Sequence, residues 1–167
     1  MTLSQRVLAN LFGGWFQLRQ RFPEALLGEL AAAVTAGERT HLGEVRFAVE
    51  SRLPVRAVLG GVGARDRAQG VFAQLRVWDT QDNTGVLIYL LLAEQRIEIV
   101  ADRGIAQRVP QEQWDGICAR MREAFAQGRW REGSLAGIEA VHALLREHFP
   151  AGDRANPDEL PDRPVLL

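Results

Sequence analysis

The chain has a single cysteine, Cys118, in 167 residues, so it can form neither an internal disulfide nor a thiolate zinc cluster. Cys118 falls in a helical pattern where a small apolar residue would serve equally well, and its role reads as packing. Charge of one sign is also missing. Twenty basic against twenty-one acidic residues leave a formal net charge of −1, which removes the broad field that would gather nucleic acid or an anionic bilayer. No apolar run reaches the ~18 to 20 residues of a membrane-spanning helix, and even Val86 to Ala93 is only strand length. Val7 to Phe16 behind Arg6 echoes a signal sequence, but Asn10 interrupts it and no small-x-small cleavage site follows. These absences predict a cytoplasmic protein that does not span a membrane. What is present, 47% hydrophobic and 25% charged residues, suffices for one soluble domain with a full core.

Leu3, Val7, Leu11, Trp15 and Leu18 recur at helical spacing, predicting an amphipathic helix over 2–20, weakened at Gly13-Gly14. Pro23 opens a second helix to about Gly37 with Leu26, Leu27, Leu30 and Val34 on one face. Residues 1–40 therefore form N-terminal helices packing on the rest. Val45, Phe47 and Val49 alternate with Arg46, Ala48 and Glu50, which makes Gly43 to Leu53 the first strand, ended by Pro54. Gly60 to Gly63 is a joint before a helix over 64–76, and the apolar run Val86 to Ala93 is the second strand. A short Ala93-Glu94-Gln95 connection leads to a third, which starts at Arg96 and ends on Asp102.

Strand, helix, strand is a parallel crossover, and the short connection makes an antiparallel hairpin, so the sheet is small and mixed. The second strand is apolar on both alternating faces, which calls for helices above and below it. Trp114, Ile117, Met121 and Phe125 mark one further helix, and Leu135, Ile138, Val141, Leu145 and Phe149 another. The expected fold is an α/β three-layer α/β/α sandwich over 41–150. Residues 151–167 read as a polar tail, pinned by Val165-Leu166-Leu167.

This topology carries Glu44, Asp79, Asp82 and Asp102 to one end of the sheet. With oxygens of Thr80, Asn83 and Thr84 they make a donor set suited to Ca²⁺ or Mg²⁺. The alternative is plain: Asp79 and Asp82 make turns or caps, and Asp102 pairs with Arg103 or Arg65. His41, ahead of the first strand, has the acidic edge within reach but reads more simply as a solvated loop side chain, and His142 and His148 do not share a helical face. Trp78 and Trp130 read as packing residues.

Asn83-Thr84-Gly85-Val86-Leu87-Ile88, then Arg96-Ile97-Glu98-Ile99, resembles the core signature of the TPM domain family. Its name joins a thylakoid acid phosphatase, a photosystem II repair protein and a receptor modulator. The similarity runs from about Gly43 to Phe149 and includes Phe125, Gly128, Gly133, Gly137-Ile138, Val141 and Leu144-Leu145. It implies an α/β/α sandwich with metal, commonly calcium, in a crevice at one end of the sheet, and this chain resembles the short soluble bacterial branch. Asp82 matches the family's acidic position before the Asn-x-Gly turn, whereas Asp79, Asp102 and Glu44 come from the topology above. Ala101-Asp102-Arg103-Gly104 stands where the family often has Gly-x-Gly, and His41-Leu42-Gly43-Glu44 replaces an early acidic loop.

Two functions follow from the resemblance. One is a non-enzymatic, divalent-cation-binding interaction module in envelope maintenance or in repair or assembly of a partner complex. A membrane-associated protein of the LemA type is the implied partner. The other is a metal-dependent acid phosphatase acting on phosphomonoesters, although no Cys-x5-Arg loop, Asp-x-Asp motif or P-loop is present. No organic cofactor is expected. For the module, Leu11, Phe12, Trp15 and Phe16 are the candidate docking residues, with packing on their own domain as the favoured alternative.

Overall fold

Strand β2, Gly85–Leu91, is buried at all seven positions and organises the molecule. The computed structural model describes residues 1–12, 14–152 and 159–167. In it β2 pairs in parallel with β1, Glu44–Glu50, and antiparallel with β3, Arg96–Ala101. A two-residue strand, β4, Val165–Leu166, lies parallel along the outer edge of β1, giving the order β3-β2-β1-β4. The mixed sheet is as expected, and the tail is pinned where the sequence placed its anchor. Within that tail, residues 153–158 lie outside the described residues.

Because side chains alternate across a strand, β2 feeds two cores. Val86, Ile88 and Leu90, with Val45, Phe47 and Val49 of β1, pack beneath three helices: α3 (Glu24–Glu38), α7 (Gln111–Ala126) and α8 (Trp130–His148). Leu87, Tyr89 and Leu91 face α4 (Val55–Leu59) and α5 (Ala64–Gln74), with Leu160 closing that side. Burying a side chain the size of Phe47 or Ile88 contributes about 1.5–3 kcal/mol. Helix, sheet and helix therefore form the three expected layers.

The first strand is shorter than its alternation suggested, and its charged face does not meet water. Glu50 is covered by α5, where its Oε2 accepts from Arg67 Nε at 2.8 Å and from the Tyr89 hydroxyl at 2.6 Å. Arg46 is buried beside the returning C-terminal segment and donates to the Arg163 carbonyl. Two short helices, α4 and α6 (Arg103–Ala106), had no periodicity to announce them. Trp78 corrects the packing prediction: it is 48% exposed, whereas Trp130 is enclosed by Phe22 and Phe125.

The predicted N-terminal helix is two helices, α1 (Leu3–Phe12) and α2 (Trp15–Arg21), with an extended Gly14 capping the second. Here the preferred packing alternative is overturned. Leu11, Trp15, Phe12 and Phe16 are all exposed, the two phenylalanines by 75% and 80%. α1 grips the domain with its polar side instead. Asn10 is fully buried, its Nδ2 donating to Glu94 Oε1 and its Oδ1 accepting from the Leu53 amide. Arg6 joins the same Glu94 at 2.9 Å and reaches the Val62 carbonyl.

Gly85 starts β2 where a Cβ would run into the Val77 carbonyl oxygen. Gly85→Ala is expected to cost at least about 2 kcal/mol in urea unfolding, because backbone rather than a mobile side chain must give way. Gly70→Ala in α5, with open space around it, should gain roughly 0.5–1 kcal/mol. Equal stability of Gly85→Ala and the parent would refute the close approach.

Candidate functional site

The parallel and antiparallel pairings bring the start of β1, the start of β2 and the end of β3 into one row. Glu44 stands opposite Gly85, and the Asp102 amide donates to the Gly85 carbonyl at 2.8 Å. The four predicted acids thus sit at one pole, but they do not share one pocket. The Glu44 carboxylate is buried and accepts from the backbone amides of Glu159 and Leu160, tying down the returning tail. Asp79 is exposed and paired with Arg76 at 2.8 Å. Asp102 caps α6 by accepting from the Arg103 amide at 2.7 Å, while the Arg103 guanidinium turns to Asn83 Oδ1 and Arg65 turns to Glu98 and the Ile99 carbonyl. Thr84 donates to the Leu42 carbonyl, and Thr80 accepts from the Thr84 amide, so both hydroxyls staple the loop.

Asp82 lines a cavity of about 410 Å³. Thr84, Gly104, Gln107, Arg108 and His148 also line it. Sequence reasoning missed the last three, because only the fold brings the end of α8 and the α6 region to the start of β2. Asn83, with φ +54°, turns the loop so that the Asp82 and Asn83 carbonyls close on Gly104. A Cβ there would stand 2.8 and 2.6 Å from them. Asp102 Oδ2 is buried with no hydrogen-bond partner, as is His148 Nε2. Among the described residues, no three His, Cys, Asp or Glu side chains come together to hold a metal ion. What the rim offers a hard cation is narrower than four carboxylates: Asp82, the orphaned Asp102 oxygen and backbone carbonyls.

His41 does not join the rim, and it is not solvated. It is fully buried and stacked on His142, with Nε2 and Nδ1 2.7 Å apart. The Gly43 amide donates to His41 Nδ1, so the His41 proton sits on Nε2 and is donated to His142. Burial, then the neighbouring His142 and Arg146, pushes His41 down to about 3, and burial lowers His142 to about 4 against the opposing pull of Glu139, so both are neutral. Gly37 makes room for the second ring; any side chain there would strike it.

A further buried ionisable group is Glu38 at the end of α3, which accepts from the Val45 amide at 2.7 Å. Burial, the adjacent Glu44 charge and a hydrogen bond with Asp162 raise it to about 9, so it stays protonated at neutral pH. Asp162 also accepts from Thr35, which anchors the tail to α3.

A model of the TPM domain matches residues 20–144, three quarters of the chain. The chain belongs to the TPM domain family. Among solved structures, this TPM domain is similar to the BA42 protein of the psychrophilic bacterium Bizionia argentinensis. The two are 27% identical, with a TM-score of 0.75, over 86% of this chain and 93% of that one. It also shares its fold with the N-terminal domain of a protein from P. gingivalis, at 21% identity and a TM-score of 0.60, over 75% and 77% of the two chains. No curated protein matches it. The TPM match starts inside α2 and therefore leaves α1 outside it.

The buried groups make stability depend on pH in two opposite ways. A raised Glu38 lends stability that is complete below its ordinary 4.5 and is lost as pH climbs toward about 9. The depressed histidines lend stability that is complete above their ordinary 6.5 and is lost as pH falls toward about 3. Thermal unfolding should therefore peak at mildly acidic to neutral pH, and Glu38→Gln should flatten the alkaline limb while sparing the acid one. An alkaline limb unchanged in Glu38→Gln would contradict the assignment.

Proposed function

We propose that this TPM domain is a non-enzymatic interaction module. It docks on a membrane-associated protein of the LemA type through the apolar face of its N-terminal helices and carries a divalent cation, calcium or magnesium, at its rim. One observation carries the docking reading. α1 is turned inside out, with Arg6 and Asn10 fixed to Glu94 on the domain side and Leu8, Leu11 and Phe12 facing outward, continued by Trp15 and Phe16. A helix whose apolar side merely completed its own core would present the opposite face, and a contiguous apolar surface of this kind marks an interaction site. No described helix is long and apolar enough to cross a membrane. In a pull-down with a LemA-type protein encoded in the same genome, Phe12→Ser with Phe16→Ser is expected to weaken binding roughly tenfold or more. Equal binding by this variant and the parent would end the docking reading.

For the cation, Asp82 and Asp102 are the proposed ligands, with Glu44 and Asp79 as outer members held by their own partners. An observation in the same cavity favours a second reading. His148, whose Nε2 is buried without a hydrogen-bond partner, lines the cavity together with Arg108 and Asp82, residue types able to hold a phosphomonoester and move a proton. One series of measurements separates the two. The module reading predicts that calcium raises the melting temperature, less so in Asp82→Asn and Asp102→Asn, with no turnover of p-nitrophenyl phosphate. Identical melting in calcium and in chelator would remove the cation. Turnover abolished by His148→Gln would establish the phosphatase.

A further inference from the structure

At the opposite pole from the acids, where β2 ends and the hairpin to β3 turns, lies a cavity of about 370 Å³ between α2, the hairpin and the α7–α8 turn. That volume is toward the small end of ligand pockets. Its floor is the apolar end of β2, with Leu92 and the Phe125 ring. Three guanidiniums, Arg21, Arg96 and Arg122, line its wall, and no carboxylate does. Arg96 has a partner, Glu98 at 3.3 Å. Arg21 and Arg122 have no carboxylate partner among the described residues.

Arg21 is held in place without being neutralised. Its guanidinium lies 4.6 Å from the centroid of Trp130, and Trp130 is itself stacked on Phe125 at 4.7 Å. The indole is already engaged by both neighbours, so it acts as a shelf that fixes Arg21 rather than as a stacking surface for a ligand. A guanidinium so held keeps its edge N–H donors directed for an oxyanion and loses little freedom when it binds one. Every one of the twenty basic residues in the chain is arginine, and this pocket gathers two that have no carboxylate partner among the described residues.

We propose that this cavity binds a compact organic anion, with its carboxylate or phosphate on Arg21 and Arg122 and its apolar body on the Leu92 and Phe125 floor. The site is separate from the acidic rim and from the N-terminal docking face. It gives the domain a small-molecule input at the hairpin pole.

An NMR titration of the full ¹⁵N-labelled chain tests this, with phenyl phosphate and benzoate as probes and benzylamine and inorganic phosphate as controls. At least one probe should shift the Leu92, Gln95 and Gly128 amides saturably and leave Asn83 and Gly104 unmoved. Arg21→Gln and Arg122→Gln should each weaken that probe about tenfold, since each removes a charge-assisted donor. Their unperturbed spectra elsewhere would report intact folding, and Arg122 is exposed on α7. Inorganic phosphate should bind about tenfold more weakly than phenyl phosphate, having no apolar body to bury. The proposal is overturned if neither probe saturates by ~10 mM, a weak limit even for fragments. Equal affinity in both folded variants, or benzylamine binding as well as the anions, would overturn it too.

Discussion

The two-sided burial of β2 is the constraint on which the rest of the molecule depends. Its side chains alternate into two separate cores, so neither helical layer can be removed without exposing half of the strand. Its pairing is parallel on one side and antiparallel on the other, which sets the polarity of everything attached. The acids collect where β2 begins. The hairpin and its arginines collect where β2 ends.

β1 is the price of that arrangement. A strand bearing Glu44, Arg46 and Glu50 is buried along its whole length, and each charge needs a partner brought from elsewhere. α5 supplies Arg67 for Glu50, and the returning tail supplies amides for Glu44 and a carbonyl for Arg46. Removing one member of a buried charged set costs far more than the set contributes, because the other is left unsolvated. The C-terminal segment is therefore a structural strap: Asp162 on α3, β4 on β1 and Leu160 in the second core all fasten it.

Much of this was legible in residue order. The apolar continuity of Val86 to Leu92 announced a central strand, the three-residue turn announced the hairpin, and crossover length announced the parallel pair. The helical stripes of α3, α7 and α8 predicted their buried faces. α4 and α6 were not legible, because four or five residues span too little of a period. The His41–His142 pair joins positions 101 residues apart, and nothing local marks it. The N-terminal helix taught a different lesson: its stripe was visible, but periodicity says that a face exists and not which way it turns. Asn10, on the polar side in the last turn of α1, was the cue, since a small amide capable of several hydrogen bonds suits a buried anchor. At the rim, topology placed the acids correctly at one pole. Their individual commitments depended on Arg76, the Arg103 amide and the tail, none of which a strand-end argument can see.

A TPM domain built this way presents three surfaces held apart by one sheet: an acidic rim, an arginine pocket and an apolar N-terminal face. Each depends on β2 staying closed. Native-state hydrogen exchange followed by NMR tests that dependence most directly. The account predicts that the β2 amides from Val86 to Leu91 exchange only through global unfolding, while the Leu167 amide on Val49 opens at lower free energy. Exchange of β2 through a local opening, faster than that of β4 or α8, would contradict it.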